Sequence, residues 1–324
     1  MRILTFLLLE ILLSPLSLFS FGLIQLWAIA TSQHQKTSLT ALAPLAFRWL
    51  LHIQGIRPDP ATQQLVNNLP QLNNALLWGS IGPTLFAANV TGYTPDFLNA
   101  APAGKETINN MIHTRTLFFD KAIARNLIAA KQVVLLGAGF DTRLLKFCLG
   151  QGRALFEIDQ LSTQTAKICA LKKSGADLSE ITFVPVNFNT EDWASKLQQA
   201  GFKANETTFF LWEGVTYYLT ESVVTQTLQK VDGISGEGSA IAFDVFSSSF
   251  VAARHEWQWI QPVTAMLNAV GEPFRFGMDL SGELSKEKAI APLIQGTNFH
   301  VQAFQQMGNS INRPFSGLIE LRKG

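Results

Sequence analysis

The sequence predicts an α/β protein in which a doubly wound, mostly parallel β-sheet follows a helical N-terminal extension. Three observations predict it. From about residue 115 onward, short apolar runs alternate with helical stretches of ten or so residues, the pattern of βαβ units. The first run, Gln132 to Leu136, passes directly into Gly137-Ala138-Gly139, a glycine-rich strand-to-helix turn. Finally, 47% of the 324 residues are hydrophobic and 15% are charged, enough to bury a large core and too apolar for a disordered chain.

The elements follow in order. Residues 1–30 stand apart as a hydrophobic segment, because Glu10 is the only charge between Ile3 and Ala30. Its length suffices to cross a bilayer, which takes roughly 20 residues, with Pro15 and Gly22 interrupting it and Trp27 placed as an interfacial anchor. Two other readings compete. Ala28-Ile29-Ala30 fits a signal-peptidase site, so the segment can be a cleaved leader, or it can be an apolar helix packed on the domain beside the stripe Leu39, Leu42, Leu45, Ala46, Trp49, Leu50 and Ile53. Residues 31–110 read as a helical lead-in or lid, punctuated at Arg57-Pro58-Asp59-Pro60, Gly79, Gly82-Pro83, Thr94-Pro95-Asp96 and Ala101-Pro102-Ala103-Gly104. Residues 111–324 form the sheet domain. Its strands are Gln132 to Leu136, Ala154 to Ile158, Ile181 to Val186, Thr207 to Trp212 and Ser239 to Val245. Helices are expected over Ser162 to Lys173, Thr190 to Ala200 and Glu221 to Val231, and His300 to Phe304 with Ser316 to Leu321 can close the sheet as a hairpin.

Charge and cysteine usage exclude several classes. Lys+Arg 25 against Asp+Glu 24 leaves a formal charge of +1, and no basic cluster exceeds the pairs Lys172-Lys173 and Arg322-Lys323, so a nucleic-acid footprint is not expected. Cys148 and Cys169 have neither CxxC nor Cys/His spacing, so no disulfide framework and no metal site is expected. No internal repeat appears.

Four strand ends carry the chemistry. In VVLLGAGFDTR, the glycines let the chain turn sharply and let a ligand approach the backbone. Thr142 stands where the dinucleotide fingerprint needs its third glycine, and Asp141 reads as the cap of the next helix. Glu157-Ile158-Asp159 ends the next strand, and either carboxylate can accept the two hydroxyls of a ribose. Asn187-Phe188 follows the third strand and can offer an amide to an adenine edge and a ring to its face. Glu213 follows the fourth, in WEGVTYYL; an acid among Trp212, Val215 and Leu219 needs a cation or a donor.

Taken in order, Arg115-Thr116 with Phe119-Asp120, LGAGFDTR, FEID, VPVNF, WEGVTYYL and GEPFRFG at 271–277 resemble the leucine carboxyl methyltransferase family, over roughly residues 37–320. The resemblance implies a Rossmann-like class I methyltransferase fold using S-adenosyl-L-methionine. It implies that Arg115 holds the methionine carboxylate beside Gly137 and Gly139. Asp159 would take the ribose, Asn187 and Phe188 would flank the adenine, and Glu213 would sit near the methionine end. Asn187-Phe188 departs from the family's usual Asp-Leu, and Leu161 from its usual Pro. An amide still accepts from an exocyclic amine.

Methyl transfer from a sulfonium depends mainly on positioning the acceptor. A carboxylate acceptor needs no base; a hydroxyl needs one, for which Tyr218, His255 and His113 are the candidates. The reading is thus an O-methyltransferase acting on a small molecule or a carboxylate, held at the membrane by residues 3–30 with its catalytic domain in the cytoplasm, where the cofactor is made. The alternatives are a tethered cofactor-binding module without turnover and a nicotinamide-dependent oxidoreductase. Thr142 and the lack of a Tyr-x-x-x-Lys pair disfavour the latter.

Overall fold

The computed structural model describes residues 1–102, 104–188, 190–280, 286–308 and 314–324, without the side chains of His255, Glu256 and Lys286. The helices are α1 (Arg2–Gln35), α2 (Leu42–Ile53), α3 (Pro60–Asn68), α4 (Asn74–Thr91), α5 (Met111–Asn126), α6 (Leu161–Lys173), α7 (Trp193–Gln199), α8 (Glu221–Ile234), α9 (Ser248–Val251), α10 (Gln261–Ala269) and α11 (Lys286–Ile294). The strands are β1 (Gln132–Leu136), β2 (Ala154–Asp159), β3 (Ile181–Pro185), β4 (Thr208–Trp212), β5 (Ala240–Phe246), β6 (Phe299–Met307) and β7 (Ser316–Lys323). The chain forms two compact units, one of residues 1–100, 139–142 and 162–177, the other of residues 101–138, 143–161 and 178–324.

In the first unit, α1 is unbroken, so Pro15 and Gly22 do not interrupt it as the sequence predicts. Proline withholds the N–H that would bond the Ile11 carbonyl, and Ser14 Oγ donates to that carbonyl instead at 3.0 Å. Helix α4 likewise continues through Gly79 and Gly82-Pro83, where breaks are expected. The bare Cα of Gly79 serves packing, since a Cβ there would lie 2.3 Å from Ser20 Oγ of α1. The two helices run antiparallel, with Trp27 Nε1 donating to Pro70 O (2.8 Å), Thr84 Oγ1 to Glu10 Oε2 (3.2 Å), and Phe6 edge-on to Tyr93 (4.9 Å).

The Arg57-Pro58-Asp59-Pro60 turn starts α3. Asp59 accepts from Thr62 N at 3.3 Å and Pro60 occupies the first helical turn, where a missing N–H costs nothing. The buried Asp59 also pairs with Arg57 and accepts from Thr142 Oγ1 at 2.7 Å. Asp141 lies in an ion pair with Arg48 (3.1 Å), and the helical turn after the glycines takes Arg143 as its N-cap residue.

In the second unit the strand order is β3-β2-β1-β4-β5-β7-β6. The first five strands pair in parallel, and β7 pairs antiparallel with both β5 and β6, so the C-terminal hairpin closes the sheet. Side chains alternate across it. Val134, Phe156, Phe210, Ile241 and Phe243 share a core with α7, α8 and α11, while α5 packs on β4, β5 and β7. After β1 the expected helix is only a five-residue π-helical turn, Leu144–Cys148, because Gly150 and Gly152 follow with left-handed backbone (φ 70° and 68°).

Candidate functional site

Parallel register brings four strand ends to one edge of the sheet. Leu136 lies opposite Ile158, Asp159 opposite Pro185, and Leu135 opposite Leu211, so Gly137, Asp159, Asn187 and Glu213 all emerge at the carboxyl edge. This is where ligands bind in doubly wound sheets, beside the point at which β1 has neighbours on both sides. Gly137 has φ 65°, and a Cβ there would lie 2.6 Å from Val215 Cγ2, so no other residue fits the turn. Gly139 belongs to the first unit, where a Cβ would approach Ala41 to 3.3 Å.

The charge at this edge is organised around Arg115 on α5. Its Nη1 donates to Asp244 Oδ2 (2.9 Å) and to Tyr217 Oη (3.0 Å), and its Nε lies 3.0 Å from Glu213 Oε1. Glu213 Oε2 also accepts from Arg143 Nη1 at 2.6 Å, and Arg143 Nε donates to Asp120 Oδ1 at 2.7 Å. The backbone N–H of Gly214 donates to Asp244 Oδ1 at 2.6 Å. Among the described residues, two guanidinium groups thus share three carboxylates in these pairs, which together carry one negative charge when all are ionised. Burial opposes the charge of Arg115, but Tyr217, Asp244 and Glu213 outweigh it and raise its pKa, so it stays cationic. Burial raises the pKa of the Asp244 carboxyl against the pull of Arg115, and raises the Tyr217 phenol well above its ordinary value, so Tyr217 is neutral.

Among the described residues, Arg115 Nη2 takes no hydrogen bond. Gly214, with φ 77°, runs beside the guanidinium, where a Cβ would stand 3.6 Å from Nη1 and 3.7 Å from Nη2, in ordinary contact. A bare backbone next to an uncommitted guanidinium N–H suits an incoming carboxylate.

Of the two acids on β2, Glu157 is buried within the sheet opposite Leu135 and Phe183. Asp159 is half-buried at the strand's end, its Oδ1 accepting from Gln160 N at 2.6 Å. Asn187 is exposed and its backbone N–H donates to Glu191 Oε2 (2.8 Å); Phe188 is half-buried and tilted against Trp193 at 6.5 Å. Tyr218 is half-buried, edge-on to Tyr217 (4.7 Å) and 5.7 Å from the Phe274 ring. His255 begins a 3-10 helix, and its side chain lies outside the described residues. His113 is fully buried, and burial lowers its pKa to about 4, which keeps the imidazole neutral and makes it a poor base at neutral pH.

Sequence reasoning leaves four members of the cluster without a role: Asp120, Arg143, Tyr217 and Asp244. The signal for Asp244 is present, a lone carboxylate in the apolar run SAIAFDV, which a buried strand tolerates only beside a cation. Arg143 closes the glycine-turn motif but gives no hint in sequence that it reaches Glu213, 70 positions away.

The family model for leucine carboxyl methyltransferase matches residues 58–232, just over half of the chain. The chain belongs to this family. A Mycolicibacterium paratuberculosis protein named as an S-adenosyl-L-methionine-dependent methyltransferase is 33% identical over 139 residues, 42% of this chain and 44% of that protein. A similarly named Mycobacterium tuberculosis protein is 28% identical over 177 residues, covering 54% and 55%. The chain thus spans about half the length of these relatives; another from Mycobacterium avium, 27% identical over 258 residues, is covered to 77%. A methyltransferase structure from Mesorhizobium loti is 13% identical with a TM-score of 0.44, over 63% of this chain and 96% of that one.

Proposed function

We propose that the chain is an S-adenosyl-L-methionine-dependent O-methyltransferase that methylates a carboxylate or hydroxyl of a small acceptor. The observation that carries the reading is the donor set at the carboxyl edge of the sheet: an uncommitted N–H of Arg115 beside bare Gly214 after β4, with Asp159 at the end of β2, one strand further along across β1. Arg115 Nη2 would receive the methionine carboxylate and Asp159 the ribose hydroxyls, with Gly137 and Gly139 forming the turn and Asn187 and Phe188 flanking the adenine. Glu213 and the net negative charge of its cluster favour a ligand that carries an ammonium and a sulfonium against one carboxylate. The bound cofactor supplies an electrophilic methyl group; the protein's share is to align an acceptor oxygen and exclude water. Tyr218, beside Phe274, is placed to orient an acceptor ring or hydroxyl. Thr142 speaks against the nicotinamide reading, since its hydroxyl is committed to Asp59 where a pyrophosphate fingerprint has glycine. We also infer that residues 3–30 hold the protein to a membrane, with the catalytic domain in the cytoplasm.

Calorimetry on the full-length protein tests the cofactor. Micromolar S-adenosyl-L-methionine binding that Asp159→Ala abolishes and nicotinamide dinucleotide does not displace is the expected result. A folded protein that binds neither overturns the reading, and binding without release of S-adenosylhomocysteine across an acceptor screen favours a module without turnover.

A further inference from the structure

We propose that α1 does not cross the membrane but lies along its surface, making the apolar pair α1 and α4 an in-plane anchor in the interfacial layer of an anionic bilayer. The inference rests on the reading of residues 3–30 as membrane-associating and concerns how they associate.

By length and composition α1 could span. Its 34 residues have a mean hydropathy of 2.1 in their best window and reach about 50 Å at 1.5 Å per residue, against about 30 Å of hydrocarbon. It is also largely uncovered: Ile3, Ile11, Leu18, Phe19 and Leu26 are exposed, and only 11% of the window is buried. α4 adds exposed Phe86 and Val90. An apolar face of this extent marks contact with a partner or a membrane.

The ends of α1 decide the geometry. At its C-terminal end, Gln71 Nε2 donates to Gln35 Oε1 (2.7 Å) and Ser162 Oγ of α6 donates to the Lys36 carbonyl (2.6 Å). Near its N-terminal end, Phe6 packs on Tyr93. From Tyr93 the chain returns within five residues to the buried Leu98, whose carbonyl accepts from Gln54 Nε2 (3.1 Å) just past the end of α2. Helix α2 is held in turn by the buried Arg48–Asp141 pair and by Trp49 edge-on to Trp78 of α4 (5.0 Å). Five residues of extended chain span at most about 18 Å. A crossing would carry the Phe6 end beyond about 30 Å of hydrocarbon, and Leu98, Gln54 and the Arg57–Asp59 turn that follows α2 are held near that end. These polar groups would then lie at the depth of the hydrocarbon, where they are costly, so α1 lies along the surface instead.

The polar groups agree. Glu10, the one charge between Ile3 and Ala30, is bonded to Thr84 within the helix pair. The cationic side chains stand at the ends, Arg2 at one and Lys36 at the other, where anionic headgroups meet a helix lying flat.

The test uses the full-length chain with Cys169→Ser, Cys148 being buried. Single cysteines replace Arg2, Thr94, Gln33 and, as a reference, Lys172. Each variant is synthesised in the presence of sealed phosphatidylglycerol-containing or purely phosphatidylcholine vesicles, floated with them, and exposed to a membrane-impermeant maleimide. We expect several-fold more flotation with the anionic vesicles, and Arg2→Cys, Thr94→Cys and Gln33→Cys labelled from outside to the extent of Lys172→Cys. Protection of Arg2→Cys and Thr94→Cys until detergent is added, with Gln33→Cys labelled, would establish a crossing and overturn the proposal while keeping membrane association. Absence of flotation with either vesicle, or a stable dimer in its place, overturns membrane association itself.

Discussion

Replacing Glu213 by Gln keeps the shape of the side chain and removes the charge that bridges two buried arginines. Glu213 accepts from Arg143 Nη1 at 2.6 Å and faces Arg115 Nε at 3.0 Å. The amide retains one acceptor oxygen and turns an N–H toward the other guanidinium. Removing one partner from a buried ion pair costs about 3–5 kcal/mol. The lower end applies here, because Asp244 still holds Arg115 and Asp120 still holds Arg143. At about 2–3 °C per kcal/mol for a protein of this size, the melting temperature should fall by about 6–9 °C. Thermal unfolding followed by circular dichroism at pH 7.5 measures it, with Glu191→Gln as control. That residue pairs with Lys196 in the open, and its loss should move the midpoint by no more than about 2 °C. High salt should not erase the difference, since a buried pair is little screened. A Glu213→Gln midpoint within 2 °C of the wild type, a margin below about 1 kcal/mol, would refute the view that the bridge holds the cluster together. On the reading that puts Glu213 near the sulfonium, a unit charge at about 7 Å and an effective dielectric near 20 is worth about 2 kcal/mol. The same variant should therefore lose at least about tenfold in affinity for S-adenosyl-L-methionine relative to S-adenosylhomocysteine, which lacks the sulfonium charge.

Two further outcomes follow from buried titratable groups. His113 carries a folded pKa of about 4 against 6.5 unfolded, so the unfolded chain binds the extra proton between those values and stability falls with pH across that window. The loss is about 2 kcal/mol from pH 7 to pH 5; in His113→Leu the slope of melting temperature against pH over that interval should flatten, and an unchanged slope would count against the assignment. Burial raises the pKa of Asp59, but Arg57, Thr142 and Thr62 outweigh it and hold the carboxyl below 3.8. Its contribution is therefore complete above that pH and lost as pH falls further below it. Asp59→Ala should destabilise by about 4 kcal/mol at pH 7, from a lost cap and a buried arginine deprived of its carboxylate, and the gap to the wild type should narrow in acid; a constant gap down to pH 2.5 would contradict this account.

Periodicity and punctuation sufficed for the sheet. Gln132 to Leu136 is buried at every position, and apolar from Val133 on, because a central parallel strand is covered on both faces, and Gly137 ends it because only glycine turns there against Val215. Where the same punctuation misled, in Pro15 and Gly79, neighbours supplied what the rule assumes missing: a serine hydroxyl for the Ile11 carbonyl, and a partner helix needing the room that glycine leaves. Propensity rules describe a chain in water, and both residues sit in a packed helix pair.

The candidate site divides the same way. Gly137, Asp159, Asn187 and Glu213 are legible because each follows its strand, so position along the chain is also position along the sheet edge. The partners of Arg115 are not, because Asp244 and Tyr217 lie 129 and 102 positions from it and reach it only once β5 is laid beside β4 and α5 packs on that face. The sequence by itself determined the order of strands and helices, the family, and which residues end at the ligand edge, since these depend on local pattern. Only the tertiary structure decided how the buried charges pair and which polar segments lie beside the N-terminal end of α1, since both depend on distances between segments remote in the chain.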